Sequence, residues 1–375
     1  MTALELSHED MLRLNVLVMN VEAIRIDERT LTVYGLSGRG EAKVQLNPTG
    51  RRESYLKAVR EFLSTAALGS PGGYPVHLNR WTRMGQARDT NLAKLLMLGE
   101  PEAIAAVVGA PGLTDELARR AWWADPVPEN ARRMLANECV VQGGMGRILA
   151  EYLVEYLPFE TEARLIIESV RLVLQPGLID AATRQKLWDK GAAQATYRIG
   201  FLQAEPDTLP HQPPAHPDLS GMQATLAGLA AGGNSLAELA QRSLSAHGQG
   251  FLAISGQVLQ KLSDQDAVVV LLNTLSGYFQ HARRDPRPCQ DIAAILADAE
   301  LAVAQAPDAQ SVLVALPALA PALRAMHALA RMDEAIVTPV FARSSASGSL
   351  MRRKIEPVLR PVLDQIAVLR RPVHG

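Results

Sequence analysis

Few residues in this chain have the types and spacing that catalysis requires. Cys139 and Cys289 are far apart in the sequence and match neither a metal site nor a redox pair. His281 lies near Cys289, so a Cys–His nucleophile is one interpretation, but no third group to orient the histidine is evident and a buried structural role is favoured. Cys139 is likewise interpreted as a small core residue. The sequence therefore indicates no catalytic residue, and it leaves open whether the protein is an enzyme.

Metal and cofactor patterns are equally weak. His211 and His216 are the closest histidines, but extended backbone in a proline-rich stretch would separate them by about 15 Å. The glycines of "GGMGR", at residues 143–147, lack the last glycine of a dinucleotide fingerprint and follow no predicted strand. They favour a helix bend or a close packing contact. We expect no metal, no cofactor and no prosthetic group.

Two adjacent tryptophans suggest a binding surface. Neighbouring helix residues point about 100° apart, so Trp122 is assigned to the apolar face of its helix and Trp123 to the neighbourhood of several arginines. Trp123 either packs beneath the next helical hairpin, which is the favoured alternative, or is a partly exposed anchor of the Trp–Arg type found at protein interfaces. The candidate partner-binding residues are Arg119, Arg120, Trp123, Arg132 and Arg133.

The chain from residue 343 onward contains seven basic and two acidic side chains. One interpretation is an anion or nucleic-acid patch, with Arg352, Arg353 and Lys354 as its candidate residues. The favoured alternative is a solvated amphipathic helix whose last-turn arginines interact favourably with the helix macrodipole. This alternative is favoured because aromatic residues, which nucleic-acid-binding patches combine with basic ones, do not alternate with the bases here.

The elements that position these residues begin with strands. Residues 23–46 alternate between apolar and polar side chains, with "DER" and "SGRG" as turns, and predict a three-stranded β-meander. An apolar stripe of helical spacing follows and predicts a helix that covers the sheet. The predicted sheet core is Ile24, Ile26, Leu31, Val33, Val44 and Leu46, and the predicted helix stripe is Tyr55, Val59, Phe62 and Ala66.

From about residue 86 the apolar period is helical. Ser7 and Thr114 are predicted to cap helices, Pro101 is expected near the start of a helix, and another helix is expected to restart at Asp180. Many short amphipathic helices with short loops predict a mainly α fold of HEAT-like stacked hairpins, an α-solenoid. Five prolines between residues 206 and 217 interrupt the helices and predict an extended hinge or surface strap. The predicted organisation is a small α+β unit at 1–80, a helical lobe at 81–205, a proline-rich linker at 206–217 and a second helical lobe at 218–375.

Composition favours an ordinary globular protein of the cytoplasm. Hydrophobic residues make up 48% and charged residues 21% of the 375 residues, and the net charge is −1. No secretory signal pattern starts the sequence, and no apolar run is long enough to cross a bilayer. We expect no membrane partner.

Three segments carry a family resemblance: "WTRMGQARDTNLAKLLMLGEPEAIAAVV", "GLTDELARRAWWADPVPENARRML" and "LVEYLPFETEARLIIESVRLVLQPGLIDAATRQKLW". Together, over residues 81–210, they resemble the DsrS family, cytoplasmic accessory proteins encoded with reverse dissimilatory sulfite reductase in sulfur-oxidising bacteria. The resemblance implies a role in sulfur oxidation without a prosthetic group. It assigns no active-site residue.

Three functions are therefore considered. The first is a non-catalytic scaffold that binds a protein of the sulfur oxidation pathway. The second is an RNA- or DNA-binding regulator of that pathway that uses Arg352, Arg353 and Lys354. The third is a sulfur carrier that uses Cys139 or Cys289.

Overall fold

Three antiparallel strands form a sheet near the start of the chain. In a computed structural model that describes residues 6–73, 89–343 and 348–372, helix α1 (His8–Asn20) precedes strands β1 (Ala23–Asp27), β2 (Thr32–Ser37) and β3 (Gly40–Gln45). The strand order is β1-β2-β3, with Ile24 opposite Gly35 and Val33 opposite Val44. Helix α2 (Arg52–Leu68) follows. The predicted meander is confirmed.

One face of the sheet packs against α1 and α2. The apolar residues predicted to share that face do so, although Ile26 and Leu31 are only partly buried. The predicted face of α2 is partly wrong, because Ala66 is exposed and Leu63 is buried in its place. The buried cluster comprises Leu14, Leu17, Ile24, Val33, Val44, Leu46, Tyr55, Leu56, Val59 and Leu63.

Helix α1 lies so close to the sheet that a glycine is required beneath it. A Cβ atom on Gly35 would lie 2.6 Å from Val21 Cγ1 and 2.9 Å from Leu17 Cδ1. Ordinary carbon contacts are about 3.5–4.0 Å. The absent side chain of Gly35 is therefore what allows the end of α1 to reach the strand.

A buried carboxylate ties α1 to α2. Asp10 and Tyr55 are both inaccessible to solvent, and the Tyr55 hydroxyl donates to Asp10 Oδ2 at 2.5 Å. The backbone N–H of Asn47 donates to the same oxygen at 2.8 Å. Ser7, the predicted cap of α1, accepts from the backbone N–H of Asp10 at 3.1 Å.

In the rest of the described chain the regular elements are helices, which confirms a mainly helical fold. Those that follow the sheet region have the bounds α3 (Asp89–Leu95), α4 (Pro101–Val108), α5 (Asp115–Ala124), α6 (Pro128–Leu135), α7 (Glu138–Val141) and α8 (Gly144–Tyr156). As predicted, Pro101 begins α4 and Thr114 caps α5, its hydroxyl accepting from Leu117 N–H at 3.2 Å. Residues 74–88, which include the predicted boundary at 80 and the start of the DsrS-like region, lie outside the described residues.

The "GGMGR" glycines make a close contact, as predicted. The carboxylate of Asp115 accepts from the backbone N–H groups of Gly144 and Met145, both at 3.0 Å. A Cβ atom on Gly143 would lie 2.2 Å from Asp115 Oδ1. An acidic side chain therefore occupies the start of α8, where unpaired N–H groups and the helix dipole favour negative charge.

The later helices have the bounds α9 (Ala163–Val173), α10 (Ala181–Lys190), α11 (Ala195–Ala204), α12 (Leu219–Ala231), α13 (Ser235–Leu244), α14 (Ala246–Lys261), α15 (Gln265–Tyr278), α16 (Ile292–Gln305), α17 (Pro307–Ala315), α18 (Ala320–Arg331), α19 (Thr338–Phe341) and α20 (Gly348–Arg370). Contacts divide the chain into two units. The first comprises Met1–Pro158 with Pro176–Ile179, and the second comprises Phe159–Gln175 with Asp180–Gly375. The division into four segments inferred from the sequence stays a prediction.

The short segment 176–179 returns to the first unit after an excursion into the second. Leu178 is 4% exposed, and the backbone carbonyl of Gly177 accepts from Arg147 Nε at 3.1 Å. The first unit is therefore built from two separate stretches of sequence.

The proline-rich segment 206–217 contains no helix, as the sequence predicts, and it is bonded within the second unit. The His216 N–H donates to the carbonyl of Leu244 at 2.8 Å, and its ring Nε2 lies 2.8 Å from the carbonyl of Arg371. Leu209 is 3% exposed. The segment is thus anchored at both its middle and its end.

Candidate functional site

Trp123 contacts the sheet of the first unit. Its Nε1 donates to Glu41 Oε2 at 3.1 Å, and the Arg25 guanidinium lies 4.9 Å from the centroid of its ring. Arg25 also pairs with Glu41 at 3.0 Å and lies 4.9 Å from the ring of Tyr34. The sheet face opposite α1 and α2 thus presents a carboxylate and a cation to the half-buried indole. The favoured interpretation, in which Trp123 packs under the next helical hairpin, stays a prediction.

The neighbouring arginines are held by carboxylates of the same unit. Arg119 and Arg120 both pair with Glu116, at 2.7 and 2.8 Å, and both lie 3.4 Å from Glu22. The hydrogen bond from Arg119, followed by that from Arg120, lowers the pKa of Glu116 from 4.5 to about 2 despite some desolvation. These two cations are thus partly neutralised within the unit.

Other residues predicted to bind a partner have different surroundings. Arg132 is 4% exposed and lies 3.5 Å from Glu129, whereas Arg133 is exposed. Trp122, predicted to lie in the core, is half-buried and packs edge-on against Tyr152 with ring centroids 4.7 Å apart. Partner binding at the predicted Trp–Arg residues stays a prediction.

The basic C-terminal patch includes an arginine with a structural role. Arg352 Nη2 donates to the carbonyl of Lys261 at 2.8 Å, and its Nε donates to that of Leu262 at 3.3 Å. It thereby satisfies carbonyl groups at the end of α14 that have no helical partner. Arg353 and Lys354 are exposed. Anion binding by the three residues stays a prediction.

The cysteines differ from expectation. Cys139 is exposed, so its assignment to the core is wrong. The reason is local. Asn137 caps the four-residue helix α7 by accepting from the backbone N–H of Cys139, so the cysteine lies in the first turn of this short helix, where it is exposed. Cys289 is half-buried, and its thiol donates to the carbonyl of Asp291 at 3.5 Å. Within the part of the chain that the structure describes, no cluster of three or more His, Cys, Asp or Glu residues could hold a metal.

A groove that the sequence did not indicate runs between α1 and β3. Its volume is about 1000 Å³. Leu12 and Val16 line the helix side and are 67% and 58% exposed, and Ala42 and Val44 line the strand side. Exposed apolar side chains beside a concave surface are typical of binding sites. We call this surface the α1–β3 groove, lined by Leu12, Arg13, Val16, Leu17, Asn20, Val21, Ser37, Gly38, Arg39, Ala42, Lys43, Val44 and Gln45.

Strand β3 presents unpaired backbone groups along this groove. Leu46 N–H donates to the carbonyl of Leu31 at 2.9 Å, and the register places Val44 opposite Val33. Antiparallel ladders alternate every residue, so the N–H and C=O groups of Glu41 and Lys43 point away from β2. In the described part of the chain, β3 pairs with β2 alone. This edge can therefore accept a further strand.

The opposite edge of the sheet is covered. On β1, the N–H of Ile24 donates to the carbonyl of Leu96 at 2.9 Å, so the segment after α3 shields that edge. The sheet thus has one protected edge and one open edge, and the open edge is the one beside exposed Leu12 and Val16.

The charges of the α1–β3 groove are basic. Arg13, Arg39 and Lys43 line it, and the described lining contains no Asp or Glu. Arg13 pairs with Glu9 one turn earlier on α1. Arg39 and Lys43 have exposed side chains on the turn and the strand. The groove therefore favours an acidic occupant.

One sequence signal could have revealed the groove. Helix α1 buries Leu14 and Leu17, yet it also carries Leu12, Val16 and Met19, which are more than half exposed. A helix with a single apolar stripe does not need these additional residues.

Comparison of the chain with protein-family models, with curated proteins and with solved structures gives no match. Among the described helices, none has both the length and the apolar character that a membrane span demands.

Proposed function

We propose that the α1–β3 groove binds an extended segment of a partner protein, which adds to the sheet as a strand beside β3. The observation that carries this proposal is the open edge of β3, where Glu41 and Lys43 direct backbone N–H and C=O groups outward beside the apolar wall of Leu12 and Val16. Strand addition between a helix and a sheet edge is a recurrent mode of peptide recognition, in which main-chain hydrogen bonds supply affinity and alternate side chains supply specificity.

The charges and apolar residues of the groove define the segment it would bind. Alternate side chains of an added strand face opposite sides of the sheet. Those on the α1 side would contact Leu12, Val16 and Ala42, and those on the other side would lie near Lys43. Opposite charges across neighbouring strands contribute about 0.2–1 kcal/mol. The expected occupant is an extended segment in which apolar residues alternate with acidic ones.

We further propose that the protein is a non-catalytic accessory protein of the reverse dissimilatory sulfite reductase pathway and that the partner belongs to that pathway. The DsrS-like segments of residues 81–210 support this assignment, and they say nothing of the groove itself. We propose that the protein is located in the cytoplasm.

The HEAT-like arrangement is also part of the proposal. Contacts between neighbouring helices, such as α4 with α5 and α12 with α13, support it. Helix α20, in contrast, packs against α14 and α18, which are distant in sequence. A globular chain of this length has a radius of gyration of about 21 Å. Small-angle X-ray scattering should give a clearly larger value if the helices form an extended array, and a value near 21 Å would refute that array.

Site-specific photo-crosslinking tests the groove and the pathway separately. Benzoylphenylalanine replaces Val16 in the full-length protein, expressed in sulfur-oxidising cells that grow on reduced sulfur compounds. The matched control carries it at Met19, which is 83% exposed on the same helix but does not line the groove. We expect a discrete crosslinked partner from position 16 alone, with the crosslinked peptide rich in Asp and Glu.

The possible outcomes differ in what they refute. A sulfite reductase pathway protein crosslinked at position 16 supports both proposals. An unrelated protein crosslinked through an acidic segment supports the groove and refutes the pathway assignment. Equal crosslinking at positions 16 and 19, or none at either, refutes the groove. Hydrogen exchange supplies a direct check, since an added strand must slow exchange of the Glu41 and Lys43 amides.

A further inference from the structure

A polar cleft lies in the second unit. It has a volume of about 390 Å³ and is bounded by α16, α18 and the segment that precedes α16. Its apolar wall includes Ala299, Leu301 and Ala302. The ionisable groups that line it are Arg284, Asp285, Arg287, Asp298, His327 and Arg331.

Two buried nitrogen atoms at this cleft lack partners among the described residues. They are His327 Nε2 and Arg331 Nε, in residues that are 4% and 9% exposed. A buried polar group without a hydrogen bond costs about 1–3 kcal/mol. Both residues lie on α18 one helical turn apart, so their side chains are neighbours. Two such atoms at one cleft point to a ligand that supplies the missing bonds.

The hydrogen bonds of His327 determine what that ligand offers. Its Nδ1 lies 2.5 Å from the carbonyl oxygen of Ala282, which can only accept, so Nδ1 carries the proton. Neutral His327 therefore presents a bare lone pair at Nε2, while Arg331 Nε presents a donor. Two oxygens of one acid satisfy both nitrogens, provided that one proton is shared between the ligand and Nε2.

The charges at the cleft favour an anion. Arg331 pairs with Asp298 and lies 3.8 Å from Asp285, and Arg287 pairs with Asp285 at 2.9 Å. Arg284 is exposed, and no ion pair joins it to any other described residue. It also adds to the effect of burial in lowering the pKa of His327. The cleft thus holds three arginines against two aspartates.

We propose that this cleft binds a small oxyanion, a carboxylate or a phosphate, with one oxygen on Arg331 Nε and a second oxygen sharing a proton with His327 Nε2. The volume accommodates a short apolar chain against Ala299 and Ala302. Binding takes up a proton, because the free cleft keeps His327 neutral. Affinity therefore falls as the pH rises above the pKa of free His327, and it stops falling once the pH exceeds the higher pKa of the bound pair. Besides the cleft residues named above, the other helices packed on α18 contribute no ionisable group to the described lining.

Isothermal titration calorimetry of the full-length protein at pH 6 tests this proposal, with butyrate and inorganic phosphate as separate probes. We expect saturable binding of at least one probe at one site per chain, weakened at least tenfold in Arg331→Gln. Arg284→Gln provides a second variant because its exposed side chain is not required for folding. Arg353→Gln, an exposed arginine on α20, should bind as the parent does.

The two probes distinguish the source of the oxyanion. Binding of butyrate alone assigns a carboxylic acid, and binding of phosphate alone assigns a phosphate or its ester. Titration of ¹³C-labelled histidine, with the signal assigned through His327→Asn, should show a higher His327 pKa in the bound state. Absence of saturable binding by both probes, or binding unchanged in both arginine variants, would overturn the proposal.

Discussion

The buried pair of Tyr55 and Asp10 gives a quantitative prediction for the first unit. Tyr55→Phe removes the hydroxyl that donates to Asp10 Oδ2 at 2.5 Å and keeps the buried ring, so no cavity forms. The carboxylate keeps the Asn47 N–H at 2.8 Å. A hydrogen bond to a charged group is worth about 1.5–3 kcal/mol. We expect the free energy of opening of α1 and α2 to fall by about 2 kcal/mol.

Hydrogen exchange followed by mass spectrometry measures that free energy directly, because it separates the two units. A loss of about 2 kcal/mol increases the open population of peptides from α1 and α2 by about 30-fold. Tyr34→Phe is the matched control, since Tyr34 is half-buried on the other sheet face and its hydroxyl has no hydrogen bond to any described residue. That change should cost less than about 0.5 kcal/mol. If both variants cost the same, the buried carboxylate does not hold α1 against α2.

Three further predictions concern other contacts. Gly35→Ala should destabilise the first unit by about 1–3 kcal/mol, because its Cβ would overlap Val21 and Leu17. Gly38→Ala is the control and should not destabilise the unit, since the space around Gly38 is open. Chemical denaturation of the two variants measures the difference. Glu116→Gln should reduce the loss of stability on acidification between pH 4.5 and about 2, by less than about 1 kcal/mol since half of the side chain is exposed. A depressed pKa stabilises the fold above 4.5 and ceases to do so below about 2, so an unchanged acid transition would contradict the assignment. Arg352→Ala should lower the free energy of unfolding by about 1 kcal/mol, measured by thermal denaturation, because it loses two hydrogen bonds to backbone carbonyls, and Arg353→Ala should change it almost not at all. A salt-sensitive gel shift that the double variant abolishes would instead support nucleic-acid binding by these two arginines.

Local sequence patterns predicted the elements of this fold well. Alternation located the three strands, and Ser7 and Thr114 were correctly predicted as helix caps from their types and the residues that follow them. A helix was expected to restart at Asp180, and in the structure Asp180 caps α10. These features depend on neighbours a few residues apart. The stripe of α2 was placed about one residue away because Tyr55, Val59 and Leu63 form an equally regular set.

The candidate sites were not predictable in the same way. Whether β3 is an open edge depends on which strand pairs with it, and Leu96 protects β1 across about 70 residues of sequence. The surroundings of Trp123 depend on Glu41, which is 82 residues away in the sequence. His327 lies in an apolar helix, and the hydrogen bond that fixes its tautomer comes from the carbonyl of Ala282 on another element. Contacts between residues so far apart produce no periodic pattern in the sequence.

The return of residues 176–179 to the first unit constrains how the protein is made. Synthesis proceeds from the N-terminus, and domains generally fold as they emerge from the ribosome. Residues 159–175, which belong to the second unit, must be translated before Leu178 can be buried in the first unit and before the carbonyl of Gly177 can accept its hydrogen bond from Arg147. A nascent chain that ends at residue 158 therefore lacks part of its own core. Completion of the first unit is coupled to the start of the second.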